Sequence, residues 1–331
     1  MGDGSVVPRL GNMKALLGIV AGAGASYGLY KLISGQVFKK PKKNPHNESP
    51  SVKSSQQGGI KLRPGSLLAK VSGLDVVCAR PDDATSSPNK LELHHLKMLL
   101  SRLQTIDDVS NRAQFLLTLG NAAAFTNQIR ELEGIPVIAG FLSDPAPEVR
   151  VQALNALNNL CMNIQNQEQI KLYVPQVLEL IEMSAVNSDL QLGALRLLTN
   201  LSVTDKHQHL LKGSVTLLLS LLVVSSEALQ VQTLKVLVNL SSNPDMMDDI
   251  VQAQAPASVL LLFDERTSPA VLLRLLTFVG NLKAWRPSAQ VADELRLKQD
   301  CLFRVMLDES SQLHGKLVRL LSHPAGEIQA Q

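Results

Sequence analysis

Leu117-Thr118-Leu119-Gly120-Asn121, Asn155-Ala156-Leu157-Asn158-Asn159, Arg196-Leu197-Leu198-Thr199-Asn200, Lys235-Val236-Leu237-Val238-Asn239 and Thr277-Phe278-Val279-Gly280-Asn281 align around one asparagine. The asparagines stand 38, 41, 39 and 42 residues apart, a mean of 40. Self-similarity at such a period marks a stack of small supersecondary units rather than a single closed core. Within the second copy Val151, Leu154, Leu157 and Leu160 recur at helical spacing, and Pro145, Pro147 and Pro175 fall between helices, where proline is tolerated. A second echo follows the first three asparagines: Gly134-Ile135-Pro136-Val137-Ile138, Val174-Pro175-Gln176-Val177-Leu178 and Gly213-Ser214-Val215-Thr216-Leu217, each opening the next apolar helix. The unit is helix, turn, helix.

A ~40-residue unit is the period of armadillo-type solenoids and lies away from the ~33 or ~34 residues of ankyrin and tetratricopeptide units. The expected fold is all-α: a right-handed superhelix of roughly six armadillo-like units over residues 91–331, with the echo helices second and the asparagine helices third in each repeat. No repeat buries its apolar face alone, so stability comes from neighbour contacts and the terminal units must cap the ends. The repeated asparagine has two compatible readings. Asn121, Asn159, Asn200, Asn239 and Asn281 form a ladder on the concave surface that bonds the backbone of an extended peptide, or their amides bond a neighbouring helix carbonyl and fix repeat geometry.

Hydrophobic residues make up 45% of the 331-residue chain and charged residues 18%, enough apolar material for a sizeable core and too little charge for a wholly disordered chain. Lys plus Arg number 32 against 29 acids, but seven of the basic residues fall within residues 1–43 against Asp3 alone. The remainder holds 25 basic and 28 acidic residues, so the positive charge is local to the N-terminus and nothing global argues for nucleic-acid binding. Cys78, Cys161 and Cys301 form no CxxC and no disulfide framework, which fits reduced thiols in a cytosolic body.

Residues 13–33 read as a single-pass membrane anchor. Ala15 to Tyr30 are uncharged, Lys14 and Lys31 close the run, and snorkelling by Lys31 extends it to Ile33. Nineteen residues at ~1.5 Å each give ~28 Å of helix against a hydrocarbon core of ~30 Å. Lys31, Lys39, Lys40, Lys42 and Lys43 follow with no acid among them, which places the C-terminal body in the cytosol. Gly18, Gly22, Gly24 and Gly28 give two GxxxG spacings that either pair helices in lipid or arise from composition. Residues 34–90, basic and then rich in Pro and Ser, read as a flexible linker.

No chemistry is legible. There is no GxxxxGK[ST] loop, and His94-His95 and His207-Gln208-His209 point to different helix faces, which suits surface or capping roles rather than one metal. Cys161 lies among leucines as a small buried residue without an adjacent base. The expectation is a scaffold rather than an enzyme, with no cofactor.

Lys14 to Lys43, Leu119 to Ile138, Ala153 to Asn163 and Gln191 to Leu211, the last with its Leu-Thr-Asn-Leu-Ser-Val-Thr and His-Gln-His blocks, resemble the vertebrate family of armadillo repeat-containing protein 10, its X-linked relatives and the related protein 12. The glycine-rich span resembles protein 12 as much as protein 10. What the resemblance implies is a protein of the mitochondrial outer membrane, with endoplasmic reticulum as a further site, that influences mitochondrial distribution and cell growth or survival. Its implied partners are the mitochondrial Rho GTPases and their kinesin adaptors. Armadillo proteins that read nuclear-localisation peptides place a tryptophan four residues before the third-helix asparagine. Here that column reads Leu117, Asn155, Arg196, Lys235 and Thr277, so the tryptophan ladder is absent. Arg196 and Lys235 either favour an acidic ligand or are solvated surface charges. The alternative function is a soluble peptide receptor that shuttles to the nucleus.

Overall fold

The computed structural model describes residues 88–121 and 126–330. The expected anchor at 13–33, its flanking lysines and glycines, and nearly all of the linker lie outside the described residues.

Two helices open the described chain: α1 (Pro88–Leu103) and α2 (Val109–Asn121). Proline is suited to the first turn of α1, where its missing N–H leaves no bond unmade. Three full units follow. The first is α3 (Thr126–Glu131), α4 (Gly134–Gly140) and α5 (Pro147–Leu160), the second α6 (Ile164–Ile170), α7 (Val174–Met183) and α8 (Asp189–Ser202). The third is α9 (Asp205–Gln208), a 3-10 turn (His209–Ser214), α10 (Val215–Val224) and α11 (Glu227–Ser241).

The next unit keeps the order but loosens its middle. A 3-10 turn (Pro244–Met246) leads into α12 (Met247–Gln252), a second 3-10 segment (Ala257–Leu262) stands where a second helix would be, and α13 (Pro269–Ala284) is its third helix. The chain ends with α14 (Ala289–Leu297), a π-turn (Phe303–Leu307), α15 (Leu313–Leu320) and α16 (Gly326–Gln329). Gln254 and Cys301 form an antiparallel bridge, with Ala255 N donating to Asp300 O and Leu302 N to Ala253 O, each at 2.8 Å. This unit departs from the helix order of the three full units. Pro147 and Pro175 lie in the first turns of α5 and α7 rather than between helices.

The third helices form one continuous layer: α2 packs on α5, α5 on α8, α8 on α11 and α11 on α13. The second helices α4, α7 and α10 each pack on the third helix of their own unit. In α5 the buried side is Val149, Ala153, Leu154, Ala156, Leu157 and Leu160, while Val151, part of the expected stripe, is half-buried. Burial of each Leu or Val is worth about 1.5–3 kcal/mol, so the layers hold because every third helix meets apolar neighbours on both sides. Gly120 lets α2 and α5 approach: a Cβ there would stand 3.0 Å from Ala156 Cα.

A polar seam runs between the first helices. Asn163 Nδ2 donates to Asn127 Oδ1 at 2.8 Å, Thr204 Oγ1 to Gln167 Oε1 at 2.7 Å, and Asn243 Nδ2 to Gln208 Oε1 at 2.8 Å. Gln167 and Gln208 also donate to Cys161 O and Ser202 O, at 2.9 and 2.7 Å. Those carbonyls lie at the ends of third helices, where the backbone has no intrahelical amide to offer.

The stretch Asp205–Val224 is, among the described residues, long and apolar enough to cross a membrane, but half of it is buried and α10 packs against α11 as a layer of the stack. Two of the histidines do point apart: His207 is buried with Nε2 3.2 Å from Glu168 Oε1, and His209 is exposed. His207 is thus a packed inter-repeat contact rather than a surface or capping group.

Candidate functional site

The asparagines lie in the last turns of the third helices, and four of them reach the preceding third helix. Asn159 Nδ2 donates to Gly120 O at 3.0 Å. Asn200 Nδ2 donates to Asn158 Oδ1 at 2.8 Å and approaches Asn158 O at 3.4 Å. Asn239 Nδ2 bonds Ser202 Oγ at 2.9 Å and Thr199 O at 3.3 Å, and Asn281 Nδ2 bonds Ser241 Oγ at 3.0 Å and Val238 O at 3.5 Å. The backbone acceptor is in every case the residue just before the preceding asparagine. It is one of the last four carbonyls of its helix, where amide donors run short, and Val238 O also accepts from Ser242 N at 3.1 Å. The amide nitrogens therefore fix the register of the stack. Asn121, at the head of the row, is exposed.

In three of these amides the other half is left over. Asn159 Oδ1 accepts from Asn158 Nδ2 at a long 3.4 Å. The oxygens of Asn200, Asn239 and Asn281 accept from no group among the described residues, and none is a sealed polar atom. A carboxamide oxygen accepts an N–H as readily as a backbone carbonyl does, so a row of them can pair with an extended chain laid across the helices.

Four residues before the row, Leu117 is 39% exposed, Asn155 and Thr277 are half-buried, and Arg196 is exposed. Lys235 is only 8% exposed. Burial, with Arg274 and then Arg196 adding repulsion, pushes its ammonium down to about 8. Lys235 is therefore no solvated surface charge. Arg274 is half-buried, donates Nη1 to Ala270 O at 2.6 Å, and is itself shifted down by burial. It completes a cationic trio that counting four residues back from the asparagines missed. It stands seven residues before Asn281, and two helical turns return a side chain to the same face.

Cys161 caps the end of α5 in a fully buried position that raises its thiol far above the usual range, so it is no nucleophile at neutral pH. Among the described residues no three His, Cys, Asp or Glu gather as metal ligands. Trp285 lies at the C-terminal end of α13, outside the row.

A family model described as armadillo-like matches residues 91–307. The chain is similar to a designed armadillo repeat protein solved in complex with the peptide (KR)4, at 17% identity over 71% of this chain and 95% of that one, with a TM-score of 0.59. It is equally similar to computationally designed armadillo repeat proteins for modular peptide recognition, at 18% identity over 71% and 95% of the two chains, again with a TM-score of 0.59. An engineered protein matches at 20% identity, over 71% of this chain and 92% of that one, with a TM-score of 0.57. At such identities the likeness is one of fold.

Proposed function

The chain belongs to the armadillo-like family, and from that premise we propose that it is a membrane-anchored scaffold whose third-helix face captures an extended segment of a protein partner. The observation that carries this reading is the row Asn200, Asn239 and Asn281, whose amide nitrogens are used within the stack and whose oxygens are not. The solved designs it resembles in fold include one in complex with the peptide (KR)4 and others designed for modular peptide recognition, which favours the same use of the face here.

The anchor is residues 13–33, oriented by Lys31, Lys39, Lys40, Lys42 and Lys43 so that the repeat body stays in the cytosol. The resemblance of the sequence to the armadillo repeat-containing protein 10 family supports the mitochondrial outer membrane as its place. It also favours mitochondrial Rho GTPases or kinesin adaptors as partners, and mitochondrial distribution and cell growth or survival as the process. The protein acts by binding, not by catalysis.

The test is imaging of C-terminally tagged full-length protein beside a variant lacking residues 1–43, with mitochondrial and reticulum markers and protease added to intact organelles. The expected result is mitochondrial signal with a protease-accessible body, lost on truncation. A diffuse or nuclear full-length protein would overturn the anchor and leave a soluble peptide receptor in its place.

A further inference from the structure

We propose that the third-helix face selects an acidic protein segment, whose carboxylates converge on Arg196, Lys235 and Arg274. This rests on the reading of that face as a peptide groove and names the chemistry of its ligand.

The three cations come from three consecutive third helices, α8, α11 and α13, which pack side by side. Some cations elsewhere in the repeat body meet carboxylates: Arg112 pairs with Asp144, Lys212 with Asp249, and Arg296 with Asp293 and Asp308. No carboxylate lies within ion-pair distance of Arg196, Lys235 or Arg274 among the described residues. The helices themselves explain why. Asp189 and Glu227 are the only acids of α8 and α11, seven and eight residues before Arg196 and Lys235, and α13 has none. At ~1.5 Å per residue those acids stand ~10–12 Å away along the helix axes.

A buried, unpaired ammonium beside two guanidinium groups is costly to keep, and an arriving carboxylate restores the solvation that burial removed. Adjacent helices lie ~8–10 Å apart and an extended chain advances ~3.3–3.6 Å per residue. Acids spaced two or three residues apart therefore reach successive cations while backbone N–H groups face the oxygens of Asn200, Asn239 and Asn281. The charge of this groove is the inverse of what a basic peptide such as (KR)4 needs.

Fluorescence polarisation on detergent-solubilised full-length protein tests this with fluorescein-labelled (DE)4, (KR)4 and (SG)4 peptides. Expected is binding of (DE)4, with the other two about tenfold weaker or more, and a loss of about tenfold or more for the Arg196→Gln/Arg274→Gln double variant. Lys235→Arg, which keeps the charge, retains (DE)4 binding. If (KR)4 or (SG)4 binds as tightly as (DE)4, and Asn200→Ala/Asn239→Ala weakens that binding, acidic selection is wrong and the groove stands. If (DE)4 binds but the arginine variant holds it equally well, the assignment of its carboxylates to this trio is wrong. If no peptide binds, both the selection and the groove fall.

Discussion

Asn239 in the last turn of α11 donates to Ser202 Oγ at 2.9 Å and to Thr199 O at 3.3 Å in the last turn of α8. One side chain thus ties two neighbouring repeats at the place where a helix end has carbonyls to spare. Each neutral hydrogen bond is worth about 1 kcal/mol net, so Asn239→Ala is expected to cost about 1–2 kcal/mol. At about 2–4 °C per kcal/mol for a body of this size, calorimetry should find Tm lower by a few degrees. An unchanged Tm would mean that the amide adds nothing to the stack.

Gly120 and Gly280 occupy the same position one residue before their asparagines, yet their surroundings differ. A Cβ on Gly120 meets Ala156 Cα at 3.0 Å, whereas one on Gly280 meets nothing within 4 Å. Gly120→Ala should force α2 and α5 apart and destabilise by about 1–3 kcal/mol. Gly280→Ala should stabilise α13 by about 0.5–1 kcal/mol, because an exposed helix interior favours alanine. Urea midpoints moving in opposite directions are the expected outcome.

Arg112 and Asp144 join α2 to the turn before α5, with Nη2 donating to Oδ1 at 3.2 Å and side chains 13% and 7% exposed. Asp144 also accepts from Ala146 N at 2.9 Å. Asp144→Ala leaves the guanidinium enclosed without its carboxylate, and removing one partner of a buried pair costs about 3–5 kcal/mol. Partial unfolding from the N-terminal repeats, seen as faster amide exchange in α2 before α11, is the measurable consequence.

Lys235 gives a pH dependence whose sign follows from its surroundings. Arg196 faces it from α8 and Arg274 from α13, while α10 carries no charge. Glu227 opens α11 itself, and beyond the far end of that helix stand Asp245, Asp248 and Asp249, the last held by Lys212 at 2.7 Å. Its folded value of about 8 lies below the ~10.4 of a free lysine, so between these values the unfolded chain binds the proton that the folded chain releases. The destabilisation is fully present below about pH 8 and is relieved as pH rises through that window. Urea midpoints for Lys235→Met should exceed those of the parent at pH 7 and converge with them near pH 10. Affinity for (DE)4 should move the other way, falling as the pH is raised above about 8.

Much of this was legible in the sequence, because a period of 40 residues and an asparagine at a fixed helical offset report the stacking directly. The solenoid, its helix order and the layer of third helices follow from that period. The 3-10 segment Ala257–Leu262 and the π-turn Phe303–Leu307 were not legible, since their apolar runs have the composition of the helices they replace. Nor was the use of Gln167 and Gln208 as carbonyl partners, because a sequence names a side chain but not the group it meets. Arg274 escaped because one offset from the asparagine was counted and the next turn was not. For Lys235 the sequence left open an acidic ligand or a solvated surface charge, because burial in a solenoid is set by the neighbouring helices rather than by its own.

The division of Asn200, Asn239 and Asn281 into a nitrogen that holds the stack and an oxygen that meets a ligand is the central claim. The most direct test is full-length Asn200→Ala/Asn239→Ala protein in detergent, measured for both Tm and (DE)4 affinity in the same buffer. The account predicts a folded protein whose Tm falls by a few degrees and whose affinity falls about tenfold. A collapse of the melting transition, or a lowered Tm with affinity unchanged, would contradict it and leave the row as a device of repeat geometry alone.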